Sequence, residues 1–148
     1  MLNPIKATTT KKIFSRTTSL QVVINSKASK IWALLADANN YPKWNSTVIS
    51  IVGNIGLDEK IELKSTLSPD RIFKLKISEF EPNKKLVWGD AMGKRIYTLS
   101  EQADGATLFS MSEKIGGPAF PLFASMIPDF DESFETFAKD LKKAAEKN

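Results

Sequence analysis

The strongest constraint on how this chain folds is a stripe of apolar residues near its C-terminus. The stripe advances in steps of three and four residues through Phe123, Ile127, Phe130, Phe134, Phe137 and Leu141. This spacing is typical of an amphipathic helix, which must bury its apolar face. Pro128, the acidic residues after it and the lysines toward the end predict the main helix over about 128–146. A short helix or turn is predicted over 119–127, and Gly116-Gly117-Pro118 separates this region from the rest of the chain.

The preceding part of the chain is predicted to form a sheet. A first strand is predicted over 13–24, and a helix over 27–38 ends at the Tyr41-Pro42 turn. Residues 1–12 have no periodicity and are predicted to be a flexible arm. Asp104-Gly105 predicts a hairpin into the last strand. The further predicted strands are 47–53, 60–67, 71–80, 85–90, 94–101 and 106–115.

The order of these elements predicts an α+β fold. Strands joined by tight turns indicate an antiparallel sheet, and a seven-stranded sheet of this kind twists enough to curve around the long C-terminal helix. We predict one such domain over 13–148. Glu62, Lys74 and Lys76 are predicted to face solvent. Strand alternation predicts that the helix is faced by Ile61, Leu63, Leu67, Phe73, Leu75, Ile77, Leu86, Trp88, Tyr97, Leu99, Phe109 and Met111.

The composition excludes most of the common catalytic chemistries. The 148 residues include no histidine and no cysteine. The usual zinc sites, haem ligation, thiolate nucleophiles and Ser–His catalysis all require one or the other. The acidic residues from Asp129 to Glu135 are explained by the first turn of a helix. We therefore expect no metal and no cofactor, and we assign no catalytic residue.

The charge pattern favours a solvated basic surface. The formal net charge is +4, but the densest basic runs are only the pairs Lys11-Lys12, Lys84-Lys85 and Lys142-Lys143. A nucleic-acid site would require a stripe or cluster. No apolar stretch approaches the ~18 residues of a membrane span. We expect a cytoplasmic protein without nucleic-acid binding or integral membrane association, and the oligomeric state stays open.

The sequence also resembles a known superfamily. The segment Ser29–Trp44, which ends in Tyr-Pro-Lys-Trp, resembles the helix and turn of the START-like, or Bet v 1-like, superfamily (SRPBCC), in particular its bacterial polyketide cyclase/dehydrase and lipid transport group. The segments 77–88, 104–107 and 116–118 agree with the same pattern, so that the resemblance covers about 15–146. It implies a helix-grip fold: a curved sheet around a long C-terminal helix, two small helices after the first strand, and an elongated apolar cavity.

The resemblance implies the binding of a hydrophobic or amphipathic small molecule, for transport or sequestration. The iron-containing oxygenases of the superfamily need histidines, which this chain lacks. Two alternatives stay open. One is a polyketide cyclase- or dehydratase-like enzyme that uses Tyr97, Arg95 or Glu113 as the acid or base. The other is a protein-interaction module, for which we expect a filled core.

The candidate ligand-binding residues are those predicted to line the cavity. Trp88 and Tyr97 fit core filling equally well, and Trp44 fits an anchor for the small helices better than a ligand contact. Arg95 and Glu113 lie two residues from Tyr97 and Met111 on their strands, so strand alternation predicts that both point inward. A shift of one residue in register would place both at the surface. The complete set is Phe73, Leu75, Trp88, Arg95, Tyr97, Phe109, Met111, Glu113, Phe123, Met126, Ile127, Phe130 and Phe134.

Overall fold

The computed structural model describes residues 4–147. Its strands are β1 (Thr8–Lys11), β2 (Ser15–Ile24), β3 (Val48–Val52), β4 (Lys60–Ser65), β5 (Ser68–Glu81), β6 (Lys85–Gly89), β7 (Gly93–Glu101) and β8 (Thr107–Gly116). Its helices are α1 (Ala28–Leu35), α2 (Tyr41–Trp44), α3 (Phe120–Phe123) and α4 (Asp131–Glu146), with 3-10 turns at Ala38–Asn40 and Ala124–Met126. None of these helices is long and apolar enough to cross a membrane.

All eight strands form one antiparallel sheet in the order β1-β2-β8-β7-β6-β5-β4-β3. The α+β class and the curved sheet beside a long C-terminal helix are as predicted, but the strand number of seven is wrong. The additional strand is β1, which lies within the segment predicted to be a flexible arm and pairs along its length with β2. A polar, threonine-rich edge strand carries no apolar alternation, so periodicity does not reveal it. Residues 1–3 of the predicted arm lie outside the described residues.

The β4–β5 hairpin also differs from its prediction. Ser68-Pro69-Asp70 looks like a break in the sequence, yet β5 begins at Ser68, and β5 pairs with β6 only from Lys76 onward. Residues 68–75 therefore extend beyond β6 with one free edge. Pro69 is tolerated there because an edge position needs no hydrogen-bonding N–H on its free side.

Helix α4 buries the apolar stripe against the sheet. It begins at Asp131 rather than at Pro128, and the N–H of Phe134 donates its first helical hydrogen bond to the carbonyl of Phe130 at 2.8 Å. Phe134, Phe137 and Leu141 are buried on its inner face. At the other end of the core, the predicted helix over 27–38 ends early at Leu35, and the 3-10 turn and α2 complete a pair of small helices.

The predicted inward face of the sheet is largely buried. Leu67, Phe73 and Leu75 are only half-buried, and all three line a cavity. On the opposite face Glu62, Lys74 and Lys76 are exposed. The remaining inward positions are buried: Ile61, Leu63, Ile77, Leu86, Trp88, Tyr97, Leu99, Phe109 and Met111.

Candidate functional site

A cavity of about 230 Å³ lies between the sheet and the first turns of α4. Its walls combine aromatic and aliphatic side chains with nine polar or charged ones, and a concave site that offers both kinds of contact can hold a small molecule. The polar lining comes from Thr47, Ser65, Ser68, Arg71, Asp90, Arg95, Tyr97, Glu113 and Ser133. The apolar lining includes Leu63, Leu67, Phe73, Leu75, Trp88, Ile115, Ile127, Phe130 and Phe137.

The position of the cavity follows from the shape of the sheet. Residues 68–75 of β5 extend past the end of β6, so no strand closes the sheet beside them. The β6–β7 turn and the segment 126–130 face this gap. Met92 and Met126 line the cavity and are exposed to solvent, as are Arg71, Asp90 and Pro128, so all five side chains lie at its mouth.

The structure places most of the predicted site residues on the cavity wall. Their contact with a ligand stays a prediction, but their common location is a property of the fold. Those that line the cavity are Phe73, Leu75, Trp88, Arg95, Tyr97, Glu113, Met126, Ile127 and Phe130.

Four predicted residues do not line the cavity. Phe109 and Met111 are fully buried farther along β8, where Phe109 packs 6.1 Å from the ring of Tyr97. Phe134 lies behind other side chains, since it stacks on Phe130 and the guanidinium of Arg95 covers its ring at 4.9 Å. Phe123 packs on Phe120, with 5.8 Å between the ring centroids, and does not line the cavity. Inward parity or helical spacing alone does not distinguish a cavity wall from a filled core.

Several lining residues were not predicted. Arg71 lies two residues before Phe73, and Ile115 lies two residues after Glu113. Strand alternation therefore places both on the inward face, and this pattern was enough to predict them. The Arg71 guanidinium lies 4.6 Å from the ring centroid of Phe73. Thr47 and Asp90 lie within the predicted strands 47–53 and 85–90 but just outside the observed β3 and β6. Asp90 alternates with Leu86 and Trp88, so its position at the cavity follows the predicted inward pattern.

Arg95 and Glu113 form an ion pair on the cavity wall. They are direct partners across β7 and β8, and Arg95 Nε donates to Glu113 Oε1 at 2.7 Å. The two side chains are 20 % and 18 % exposed. Burial opposes the charge on Arg95, but Glu113 and Tyr97 outweigh it and raise the pKa of Arg95 above its ordinary value. Arg95 therefore remains a cation at any physiological pH.

The phenol of Tyr97 is buried beside this pair. Its ring packs edge-on against Trp88 at 5.2 Å and stacks on Phe137 at 5.4 Å. Among residues 4–147 its hydroxyl has no hydrogen-bond partner. Burial raises the pKa of Tyr97, and the positive charge of Arg95 offsets only part of that effect. Tyr97 is consequently a protonated, unsatisfied donor at the cavity wall.

Trp44 anchors the small helices to α4. Its ring packs 4.9 Å from Tyr41 and 5.8 Å from Phe137, and it does not line the cavity. Tyr41 is fully buried, and its hydroxyl donates to the carbonyl of Leu35 at 2.6 Å. The Tyr-Pro-Lys-Trp turn is thus a packing element in this protein.

The acidic residues at the start of α4 hold other parts of the chain. Asp131 accepts a hydrogen bond from Thr9, and Glu135 accepts the backbone N–H of Ala7 at 2.9 Å. Asp129 lies 3.8 Å from Arg16. Within the described range 4–147, no group of three or more acidic side chains has the arrangement of a metal site. These contacts fix the N-terminal strand against the helix.

The sequence matches no protein-family model and no curated protein. Solved structures are similar in fold. A conserved protein of unknown function from Enterococcus faecalis has a TM-score of 0.67 at 18 % identity, over 93 % of this chain and 75 % of that chain. CalU16 from Micromonospora echinospora has a TM-score of 0.66 at 14 % identity, over 97 % and 87 %. A START superfamily protein from Mycobacterium smegmatis has a TM-score of 0.64 at 16 % identity, over 88 % and 97 %.

These similarities agree with the motifs in the sequence. The match to the START superfamily protein extends over nearly all of both chains, and it includes the curved sheet and the long C-terminal helix. At identities below one fifth, such a similarity defines the fold and leaves the function to be argued from the site. The protein therefore has the START-like fold that its sequence predicts.

Proposed function

We propose that this protein binds a hydrophobic or amphipathic small molecule in the cavity between the sheet and α4. The observation that carries the proposal is the buried hydroxyl of Tyr97, which has no partner among the described residues and adjoins the cavity. An unsatisfied buried donor is costly, and a ligand oxygen in the cavity would satisfy it. The aromatic and aliphatic walls would desolvate the rest of the ligand.

The size and charge of the cavity narrow the class of ligand. Its volume of about 230 Å³ lies below the usual range of roughly 300–1,000 Å³ for pockets that hold drug-sized molecules. We therefore propose a ligand of one or two rings, or a short acyl chain. A larger molecule would require the segment 116–128 to move. Because Arg95 and Glu113 neutralise each other, we propose that the polar group of the ligand is an uncharged oxygen acceptor.

Native mass spectrometry of the purified protein tests this proposal, followed by extraction with organic solvent and identification of what is released. A stoichiometric apolar adduct that is lost on denaturation is the expected result. If there is no adduct, and the protein takes up neither a fluorescent two-ring probe such as 2-naphthol nor a short-chain alkyl ester, the binding function is wrong.

Two tyrosine variants connect the binding to the proposed site. Tyr97→Phe removes the unsatisfied donor, and we expect it to weaken binding by about tenfold, the value of one good hydrogen bond. Tyr41→Phe is the matched control, since Tyr41 is equally buried but donates to Leu35 away from the cavity. Equal losses of affinity in the two variants would contradict the proposed site.

A second candidate function is a cyclase- or dehydratase-like reaction on a polyketide-like substrate. The observation in its favour is that Arg95, Tyr97 and Glu113 meet at one wall of the cavity. In such a reaction the protonated Tyr97 would act as an acid and Glu113 would accept a proton. Turnover that is abolished in both Tyr97→Phe and Glu113→Gln, with binding retained, would establish it. The third possibility, an interaction module, predicts a filled core, and the cavity of about 230 Å³ supports ligand binding over it.

A further inference from the structure

Five large apolar side chains are exposed at the end of the molecule that contains the cavity mouth. We call Ile13, Phe14, Met92, Leu122 and Met126 the apolar rim. Leu122 is 85 % exposed, Met126 80 % and Ile13 75 %. Scattered exposed apolar residues need no explanation, but a contiguous group of them indicates an interaction surface.

Backbone contacts bring the members of the apolar rim together. The N–H of Gly117 donates to the carbonyl of Phe14, and the N–H of Gly116 donates to that of Met92, both at 3.0 Å. Farther along, Arg16 donates to the carbonyls of Ile127 and Pro128 at 3.3 and 2.7 Å. The segment that carries Leu122 and Met126 is thus tied at both ends to the β1–β2 turn region.

Four exposed lysines lie in a row on the outer face of the sheet beside this rim. Lys60 pairs with Lys76 across β4 and β5, and Lys94 pairs with Lys114 across β7 and β8. Gly89 on β6 is the cross-strand partner of both Lys76 and Lys94, so the four lysines lie on one line. With strands about 4.8 Å apart, this lysine row spans about 19 Å.

The lysine row is unfavourable for the sheet by itself. Like charges directly opposite each other on neighbouring strands destabilise a sheet. Of these four lysines, only Lys76 forms an ion pair within the described part of the chain, with Asp58 at 3.8 Å. An anionic surface would compensate all four charges at once. Lys11 and Lys12 add two more exposed cations immediately before Ile13.

We propose that this end of the protein docks on the surface of an anionic lipid bilayer. The lysine row would contact the phosphate headgroups, and the apolar rim would enter the boundary between headgroups and acyl chains. Met92 and Gly93 directly precede Lys94, and Gly116 follows Lys114 by two residues, so the Lys94–Lys114 end of the row adjoins the rim. In this orientation the cavity mouth faces the lipid.

A lipid surface fits both parts of this region, whereas a nucleic acid fits only one. Nucleic-acid phosphates would pair with the lysine row but would leave the apolar rim in water. Two acidic residues near the rim have partners within the protein. Asp90 accepts the N–H groups of Met92 and Gly93, and Asp129 faces Arg16.

Vesicle flotation tests the proposal with the full chain. We expect the protein to bind vesicles of phosphatidylcholine that contain phosphatidylglycerol at about 0.15 M salt, and to bind pure phosphatidylcholine vesicles at least about tenfold more weakly. Lys94→Glu with Lys114→Glu should reduce binding by at least about tenfold. The double variant Phe14→Ser with Leu122→Ser should weaken vesicle binding by a similar factor. Because this loss is one of apolar contact, high salt should not bring the binding back.

Matched variants away from the lysine row and the apolar rim provide the controls. Lys84→Glu with Lys139→Glu makes the same change in charge, and Val23→Ser removes an exposed apolar group near the far end of β2. Both controls should bind like the unchanged protein. Equal losses in test and control variants, or no binding to anionic vesicles, would overturn the proposal. So would binding of duplex DNA that is as tight as vesicle binding and indifferent to Leu122→Ser. Ligand uptake in solution without vesicles measures the proposed cavity function separately.

Discussion

Arg95 and Glu113 are direct partners on neighbouring strands, and their 2.7 Å ion pair is held on the wall of an otherwise mainly apolar cavity. The pair is flanked by the ring of Phe134 on one side and by the phenol of Tyr97 on the other. Charges in such surroundings are stable only as a pair, because removal of one partner leaves the other charge incompletely solvated.

Glu113→Gln is therefore expected to destabilise the fold. The variant keeps the shape of the side chain but leaves the cation of Arg95 without its counter-charge. We expect a loss of about 2 kcal/mol in the free energy of unfolding, measured by urea denaturation. Glu101→Gln, at an exposed end of β7, is the control and should change stability by less than about 0.5 kcal/mol. A similar small change at Glu113 would show that the pair is adequately solvated.

The two tyrosines are expected to ionise only at unusually high pH. Burial raises the pKa of both Tyr41 and Tyr97, and the chain contains no other tyrosine. Tyrosinate absorbance of the folded protein should thus remain low at the pH where free tyrosine titrates, at about 10. If half of the tyrosine signal titrates at the ordinary value, one of the two phenols is solvated.

The same shifts predict a loss of stability in alkali. Above pH about 10 an unfolded chain releases its tyrosine protons while the folded chain retains them, so the free energy of unfolding falls as pH rises. Each tyrosine contributes up to about 1.4 kcal/mol per pH unit in this window. Tyr97→Phe should make the decline shallower. An unchanged slope in the variant would contradict the burial of this hydroxyl.

Leu75→Phe should affect ligand uptake more than stability. Leu75 is half-buried and faces the cavity, so that an added ring has space to occupy. We expect ligand affinity to fall while the free energy of unfolding changes by less than about 1 kcal/mol, as followed by ligand fluorescence and urea denaturation. Leu99→Phe makes the same change in the filled core, where overpacking should cost about 1–3 kcal/mol. Comparable destabilisation by both changes would mean that the cavity is closed in solution.

Gly89→Ala should disrupt the β6–β7 hairpin. A Cβ at this position would lie 2.3 Å from the carbonyl oxygen of Gly93 and 2.9 Å from Cα of Lys94, and both are backbone atoms. The strands must separate to admit a methyl group, so we expect a loss of more than about 1 kcal/mol in thermal or urea unfolding. Gly56→Ala is the control, since its nearest neighbour at 3.5 Å is the side chain of Glu59.

Much of the fold was predictable because its elements carry strong local signals. The period of the C-terminal stripe identified α4, and alternation identified the inward face from Ile61 to Met111. The strand β1 was missed because Thr8–Lys11 is an exposed edge stabilised by pairing with β2 and by contacts with Asp131 and Glu135. The contacts with Asp131 and Glu135 join residues more than one hundred positions apart in the chain, so no local sequence pattern predicts them.

The cavity was less predictable than the strands. Phe109 and Phe73 are both phenylalanines on the inward side of their strands. Phe109 is packed in the core, whereas Phe73 lines the cavity. The difference arises from their level along the sheet, since α4 covers Phe109 while Phe73 lies where β5 extends past β6. The alternation of residues along one strand decides which way a side chain points. The distance between the sheet and α4 at that point depends instead on how distant segments pack.

Short-range periodicity and turn residues predict the helices, the seven strands after β1 and the side of each strand that faces the helix. Which side chains meet depends on the tertiary fold. Its strand register placed Arg95 opposite Glu113, and it aligned Lys60, Lys76, Lys94 and Lys114 into one row although they are dispersed along the chain. Register depends on pairing between distant segments, so charges that look evenly spread in the sequence become a directional surface on folding.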